Sequence, residues 1–233
     1  QISSTAALVP YMTTVGNHEK VYNFTAYRNR FHMPGDVDGG EHNFWFSYSV
    51  GQIAYVSMST EHPYDVGTPQ YTFLESELKR FNASRSTYPW IFVGGHRPMY
   101  SSAKSEYNQH CPGAHLQSVI EPLLIKYGVD AYMGGHMHVY ERTHPCVNGS
   151  VVSTPDKDGV YNKPSAPLGL VLGTGGVFLS LDAWNDGPPP SWSATRADTH
   201  WGYGRLTAHN ASVLEYKFHT LKGGIFDSAF IRK

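Results

Sequence analysis

Cysteine is scarce in this chain. There are two in 233 residues, Cys111 and Cys146, which excludes a scaffold built on a disulfide framework. Neither stands in a Cys-x-x-Cys spacing that would hold zinc. Charge is scarce as well. Only 16% of the residues are Asp, Glu, Lys or Arg and the formal net charge is −1, so there is no electrostatic basis for nucleic acid or an anionic membrane surface as partner. No run of 18 apolar residues occurs, so no membrane-spanning helix is encoded. What is plentiful argues for a folded chain. With 40% hydrophobic residues, 16 Tyr and 5 Trp, the sequence can bury a sizeable core and does not read as disordered.

Three glycine-led blocks stand out against this background: Gly16-Asn17-His18-Glu19, Gly94-Gly95-His96 and Gly134-Gly135-His136-Met137-His138. Each follows a short apolar run that reads as a buried strand, Val9–Val15, Trp90–Val93 and Val129–Met133. In an open α/β sheet, ligands gather beyond the carboxyl ends of the strands, so residues far apart in sequence converge there. The converging atoms would be one amide oxygen and several imidazole nitrogens, a donor set suited to zinc, iron or manganese. Glycine before each ligand would let the backbone turn off the strand and approach an ion with no Cβ in the way. On an extended backbone, His136 and His138 would point to the same side. A lone histidine after a strand is ordinarily a surface or hydrogen-bonded core residue; the threefold repetition, with one His-x-His, carries the metal reading.

Gly-Asn-His-Glu at 16–19, Gly-His-Arg-Pro-Met-Tyr-Ser at 95–101 and Gly-His-Met-His-Val-Tyr-Glu-Arg at 135–142 resemble motifs of the purple acid phosphatases, within the calcineurin-like metallophosphatase superfamily. The likeness continues through Tyr203-Gly204-Arg205-Leu206 and the hairpin after it. It implies an α/β fold of two packed mixed β-sheets flanked by helices, with residues 1–233 forming one partial catalytic domain. It also implies hydrolysis of small phosphate monoesters at a dinuclear centre, Fe(III) with Zn, Fe or Mn(II). Asn17, His96 and His136 would then hold the divalent ion and His138 the ferric one. His18 would contact the substrate phosphate or the leaving group, and His110 is the candidate for a second substrate histidine. Tyr140, Glu141 and Arg142 would orient the His-x-His segment rather than touch substrate. Phosphodiesterases and pyrophosphatases of the same superfamily are the alternative within enzymes, and a non-catalytic secreted metal-binding glycoprotein is the alternative outside them.

The resemblance has a gap. The family's first aspartate block, and the Gly-Asp-x-x-Tyr block that supplies the bridging carboxylate, would lie upstream of Gln1, and no Asp follows an early apolar strand here. The amino-terminal part of the fold and the remaining ligands are therefore expected outside this chain. Two ions ~3.5–4 Å apart repel strongly and need bridging anions, so these residues alone are expected to bind one metal weakly or none.

Four Asn-x-Ser/Thr sequons occur, at Asn23, Asn82, Asn148 and Asn210, among 10 asparagines; about one would arise by chance. That excess points to a secreted or extracellular glycoprotein, or to a lysosomal or vacuolar one. Cys111 and Cys146 each follow a ligand loop. If they pair, the closed loop would contribute about 3.5–4 kcal/mol; a partner upstream of Gln1 is the alternative.

Elsewhere the pattern alternates strand and helix. Phe44–Val50 and Gln52–Met58 read as strands around Gly51, and Thr68-Pro69 caps a helix whose Leu74, Leu78 and Phe81 line one face. A second helix runs from Leu116 to Tyr127 with Pro122 as a kink or a late start. Leu168–Gly173 reads as a strand and the following Gly-rich residues as a plain turn. Asn185–Thr199 reads as an extended surface loop, and Gly204–His209 with Ser212–His219 as a hairpin.

Overall fold

The computed structural model describes residues 3–36, 43–104, 113–176, 178–179, 184 and 187–233. Its main body is a seven-stranded mixed sheet built from β1 (Phe46–Val50), β2 (Ile53–Ser57), β3 (Trp90–Gly94), β4 (Ala131–Gly134), β5 (Tyr140–Thr143), β9 (Leu168–Leu172) and β10 (Ser193–Ala197). Their order is β1-β2-β3-β4-β9-β5-β10, with β2, β3, β4 and β9 mutually parallel and the flanking strands antiparallel. A second sheet, β11 (Gly202–Asn210), β12 (Val213–Thr220), β13 (Gly224–Arg232) and β8 (Val160–Asn162), packs on it. The short hairpin of β6 (Cys146–Val147) and β7 (Ser150–Val151) turns on Asn148 and Gly149, both at positive φ, as a tight two-residue hairpin requires.

The central strand shows why the layers stack. In β3 all five residues are buried, and successive side chains point to opposite faces. Ile91 and Val93 join Leu74, Leu78 and Phe81 of helix α3 (Pro69–Ala83), together with Leu123 and Leu124 of α5 (Glu121–Lys126). Trp90 and Phe92 join Leu168, Leu170, Leu214, Tyr216 and Phe218 between the two sheets. Each such side chain contributes about 1.5–3 kcal/mol when fully buried. The result is helices, then the mixed sheet, then the second sheet, which is the arrangement the sequence implies. In β12, Leu214, Tyr216 and Phe218 are buried while the intervening residues are only half-buried. Thr68 Oγ1 accepts the Tyr71 N–H at 3.2 Å and so caps α3. Pro122 divides the second helical segment into α4 (Gly113–Val119) and α5.

Three expectations are corrected. Val9–Val15 is not a strand: Pro10 offers no donor, the residues after it form no ladder, and Thr14 reaches the sheet only through its hydroxyl, to Met58 O at 3.1 Å. Asn185–Thr199 is not loop throughout, because Ser193–Ala197 pairs with β5; a strand with alanines, serine and one arginine lacks the apolar alternation that would mark it. Third, His136–Val139 is a bend and not extended chain. His136 has φ +63°, and two successive i→i+2 hydrogen bonds, Met137 N to Gly135 O and Val139 N to Met137 O, both 2.7 Å, fold it tightly. The bend carries the chain from β4 over the end of β9 and back down β5.

Candidate metal centre

The candidate blocks at His96 and His136 leave the ends of β3 and β4, while the block at Asn17 follows irregular chain. Val15 is fully buried and anchors the turn Asn17–Lys20. Gly16 N–H donates to Glu19 Oε2 at 2.8 Å while Glu19 N–H donates to Gly16 O at 3.2 Å, a reciprocal cap that fixes the turn. His96 stands two residues past β3. Its carbonyl accepts the Gly135 N–H at 2.8 Å, and Gly95 N–H donates to Met133 O at 3.0 Å, so the exits of β3 and β4 are stitched together.

The glycines serve close packing rather than unusual φ. A Cβ on Gly16 would lie 2.8 Å from the His96 ring, and one on Gly134 would lie 2.7 Å from Pro98 Cα. Gly173, at the end of β9, is the extreme case: its Cβ would fall 1.7 Å from Met137 O. The His-x-His bend therefore rests directly on a residue that has no side chain. Met137 is buried against Val139, Val171, Ala103 and Trp184, and the half-buried His136 and His138 flank it.

The structure brings Asn17, His96 and His136 together. Asn17 Oδ1 lies 2.7 Å from His96 Nε2, His96 Nε2 lies 3.0 Å from His136 Nδ1, and His136 Nδ1 lies 3.2 Å from Asn17 Oδ1. Burial holds both imidazoles well below the usual histidine pKa, to about 4. The neighbouring ring adds to this at His96 and the Arg97 guanidinium at His136, while Glu61 opposes it at both. Both rings are thus neutral near pH 7, as ligands must be.

Hydrogen bonding alone does not satisfy such a triangle. A neutral imidazole carries one N–H and the amide oxygen carries none, so in every protonation pattern at least one edge sets two lone pairs or two N–H groups face to face. A cation at the centre would satisfy all three atoms. With metal–donor distances of about 2.1 Å, two donors on one ion can lie no more than about 4.2 Å apart, and all three edges fall within that reach. The donor set fits a borderline divalent metal. Among the described residues no three His, Cys, Asp or Glu side chains form such a cluster; the set here depends on an asparagine.

Behind His136 stands a charged group that histidine spacing does not reveal. Arg97 Nη1 lies 3.3 Å from His136 Nε2, and the same guanidinium grips Glu61 through Nε (2.6 Å) and Nη2 (3.2 Å). Lys20 Nζ is 3.1 Å from Glu61 Oε2. Burial pushes the Glu61 carboxyl up, but Arg97 and Lys20 outweigh it and hold the group at about 2. Glu61 lies just past β2, where the rule of converging strand ends would have found it.

The other candidates fall differently. His138 makes no side-chain hydrogen bond among the described residues and is not part of the triangle. His18 is exposed beside Asn17, close enough that its charge would act on both rings. His110 and Cys111 lie outside the described residues. Cys146 is buried, has no disulfide partner among the described residues, and has its thiol pushed up to about 11 by burial. Asn23, Asn82, Asn148 and Asn210 are all exposed at turns or element ends.

Two family models match the chain. Residues 2–140 match the calcineurin-like phosphoesterases, and residues 166–228 match the iron/zinc purple acid phosphatase-like protein C family. Acid phosphatase type 7 of Danio rerio is 36% identical over 92% of this chain and 51% of its own length. The Fe(3+)-Zn(2+) purple acid phosphatase 12 of Arabidopsis thaliana is 30% identical over 96% of this chain and 48% of its own. The structure of a purple acid phosphatase from yellow lupin seeds superposes with a TM-score of 0.80 at 29% identity, covering 96% of this chain and 41% of that one. The chain thus spans about half the length of the curated relatives it matches. Fold, motif order and family matches agree, and the chain belongs to the calcineurin-like phosphoesterases, in the purple acid phosphatase branch.

Proposed function

We propose that this chain is part of a secreted, glycosylated phosphomonoesterase whose metal centre draws on Asn17, His96, His136 and His138. The observation that supports this most is the triangle of Asn17 Oδ1, His96 Nε2 and His136 Nδ1, with edges of 2.7, 3.0 and 3.2 Å. Those three residues would hold a Zn, Fe or Mn(II) ion, and His138, from the same bend, would serve a neighbouring Fe(III). When bound, such ions supply Lewis-acid charge at the phosphoryl oxygens and activate water.

The chain's own residues supply position and protons. The hydrogen-bonded exits of β3 and β4 hold the His96 and His136 rings side by side, where they would help to position a phosphate ester, and positioning carries much of the rate in phosphoryl transfer. His18, exposed at the rim, is placed to donate a proton to the ester oxygen as the alcohol leaves; histidine is the side chain whose ordinary titration suits that role. His110 is the other candidate for the same step. Because the donors gathered here are neutral, a dinuclear centre would need carboxylates in addition to this set.

The test is metal content per chain after exhaustive dialysis, together with hydrolysis of p-nitrophenyl phosphate by the protein expressed from its complete gene. Loss of both metal and activity in Asn17→Ala and His96→Ala is expected. Activity on bis-p-nitrophenyl phosphate but not on the monoester would move the assignment to the diesterases, and metal binding with no hydrolysis would make it a non-catalytic metal-binding glycoprotein. Secretion from eukaryotic cells should give a protein that loses mass on enzymatic deglycosylation, through the exposed Asn23, Asn82, Asn148 and Asn210.

A further inference from the structure

We infer that the hollow beside Asn148 is a carbohydrate site, and that its ligand is the first N-acetylglucosamine of the glycan carried by Asn148 itself. This rests on the reading of the protein as a secreted glycoprotein. Asn148 and Gly149 form the turn between β6 and β7, and Ser150, whose hydroxyl completes the sequon, opens β7. Asn148 is exposed, so its amide nitrogen is open to the glycosyl group. Beside the turn lies a hollow of about 330 Å³, at the lower end of the ~300–1,000 Å³ that small ligands occupy and large enough for a sugar ring. Asn148 lines it together with Trp192, Tyr100, Ser101 and Gln117, whereas Asn23, Asn82 and Asn210 do not. The half-buried Trp192 offers an aromatic surface, on which the C–H face of a pyranose packs while its hydroxyls reach polar neighbours. Gln117 is held at the hollow by its bond to Met99 O at 3.0 Å and keeps an amide oxygen that can accept from a hydroxyl.

The turn is held by the same groups that wall the hollow. Asn148 N–H donates to Glu121 Oε2 at 2.9 Å, Gly149 N–H donates to the Tyr100 hydroxyl at 3.0 Å, and that hydroxyl donates in turn to Glu121 Oε1 at 2.5 Å. Glu121 and Tyr100 are both buried. The Tyr100 ring lies 5.5 Å from the Trp192 ring, and Trp192 O accepts the His144 N–H at 2.8 Å. One buried network therefore fixes both the asparagine that carries the glycan and the indole that receives its first sugar. A ligand tethered at the edge of its own site binds at high effective concentration, so a contact too weak to hold a free sugar is enough to seat this one. At Asn82 and Asn210 the side-chain oxygen is instead turned back onto Arg85 Nε (3.3 Å) and Ser212 N (2.8 Å), away from this hollow, which makes those sites internal controls.

The experiment is native deglycosylation, by peptide N-glycosidase with site-resolved mass spectrometry, of the protein secreted by eukaryotic cells from its complete gene. The Asn148 glycan should be released about tenfold more slowly than those at Asn23, Asn82 and Asn210, the factor that one aromatic stacking contact supplies, and the rates should converge in denaturant. Trp192→Ala should raise the Asn148 rate to that of the other sites. Ser150→Ala, which removes the sequon and leaves Asn148 in place, should lower the melting temperature of the secreted protein by about 2–4 °C and leave that of unglycosylated protein made in bacteria unchanged. Equal native rates at all four sites would overturn the inference, as would a slow Asn148 rate that Trp192→Ala does not alter. Glycans at Asn23, Asn82 and Asn210 with none at Asn148 would overturn it while the glycoprotein reading stands; four empty sites would overturn both. If Trp192→Ala does not fold, the native release rates and the Ser150→Ala melts still decide the matter.

Discussion

Asp227→Leu should be among the most damaging single changes outside the centre. Arg142, on β5 of the mixed sheet, grips Asp227, on β13 of the second sheet, through Nε (2.6 Å) and Nη2 (2.9 Å), and each side chain is only 8% exposed. Removing the carboxylate strands a buried guanidinium, at a cost of about 3–5 kcal/mol. For a chain of this length each kcal/mol moves the melting temperature by about 2–4 °C, so the loss should be about 6–20 °C. Arg142→Met should cost a similar amount. The double variant should recover most of it, because apolar residues replace a buried ion pair with little net change. What remains are the Tyr140 and Thr195 hydroxyls, which also donate to Asp227 and would each lose that acceptor at about 1–3 kcal/mol. Differential scanning calorimetry on the four proteins completes the cycle. A shift below about 2 °C in either single variant, or a double variant equal to the sum of the singles, would refute the claim that this pair is a desolvated tie between the sheets.

Other outcomes are equally specific. Glu61 is held at about 2 from an ordinary value of 4.5, so its folded pKa is depressed and its stabilisation, about 3 kcal/mol, is present above pH 4.5 and is lost as pH falls toward 2. Thermal melts of the parent and of Glu61→Gln should therefore converge across that window, and a constant gap would contradict the assignment. Gly16→Ala places a Cβ 2.8 Å from the His96 ring and should weaken Zn2+ binding about tenfold while lowering the melting temperature little; calorimetric titration beside a thermal melt separates the two effects. Thr68→Ala removes the cap on Tyr71 N–H and should cost about 1 kcal/mol in urea unfolding, with Zn2+ affinity unchanged.

What was legible in the sequence was whatever a local pattern encodes. The apolar run Trp90–Val93 announced a buried strand, Thr68-Pro69 announced a helix start, and Pro122 announced an interruption of the second helix, which the structure places between α4 and α5. The proximity of His96 and His136 followed from the rule that strand exits converge, whereas Asn17 follows no strand and its place beside them was implied by the family resemblance. Features created by pairing between distant segments were not legible. Ser193–Ala197 becomes a strand only because β5 is there to receive it. Glu61 comes to lie under Arg97 because β2 and β3 are parallel neighbours, and no spacing in the chain announces that contact. The bend at His136 was misjudged as extended because its geometry depends on β9, some 30 residues later.

That dependence has a temporal consequence. β9 lies between β4 and β5, so during synthesis both histidines of the bend leave the ribosome before the strand that supports them exists. Until Leu168–Leu172 inserts between two strands made earlier, nothing fixes the Met137 carbonyl over Gly173. A long loop must close before those contacts reward it, and such steps fold slowly. The bend from His136 to Val139 is therefore among the last parts of the mixed sheet to acquire its shape, later than the exit of β3 that carries His96.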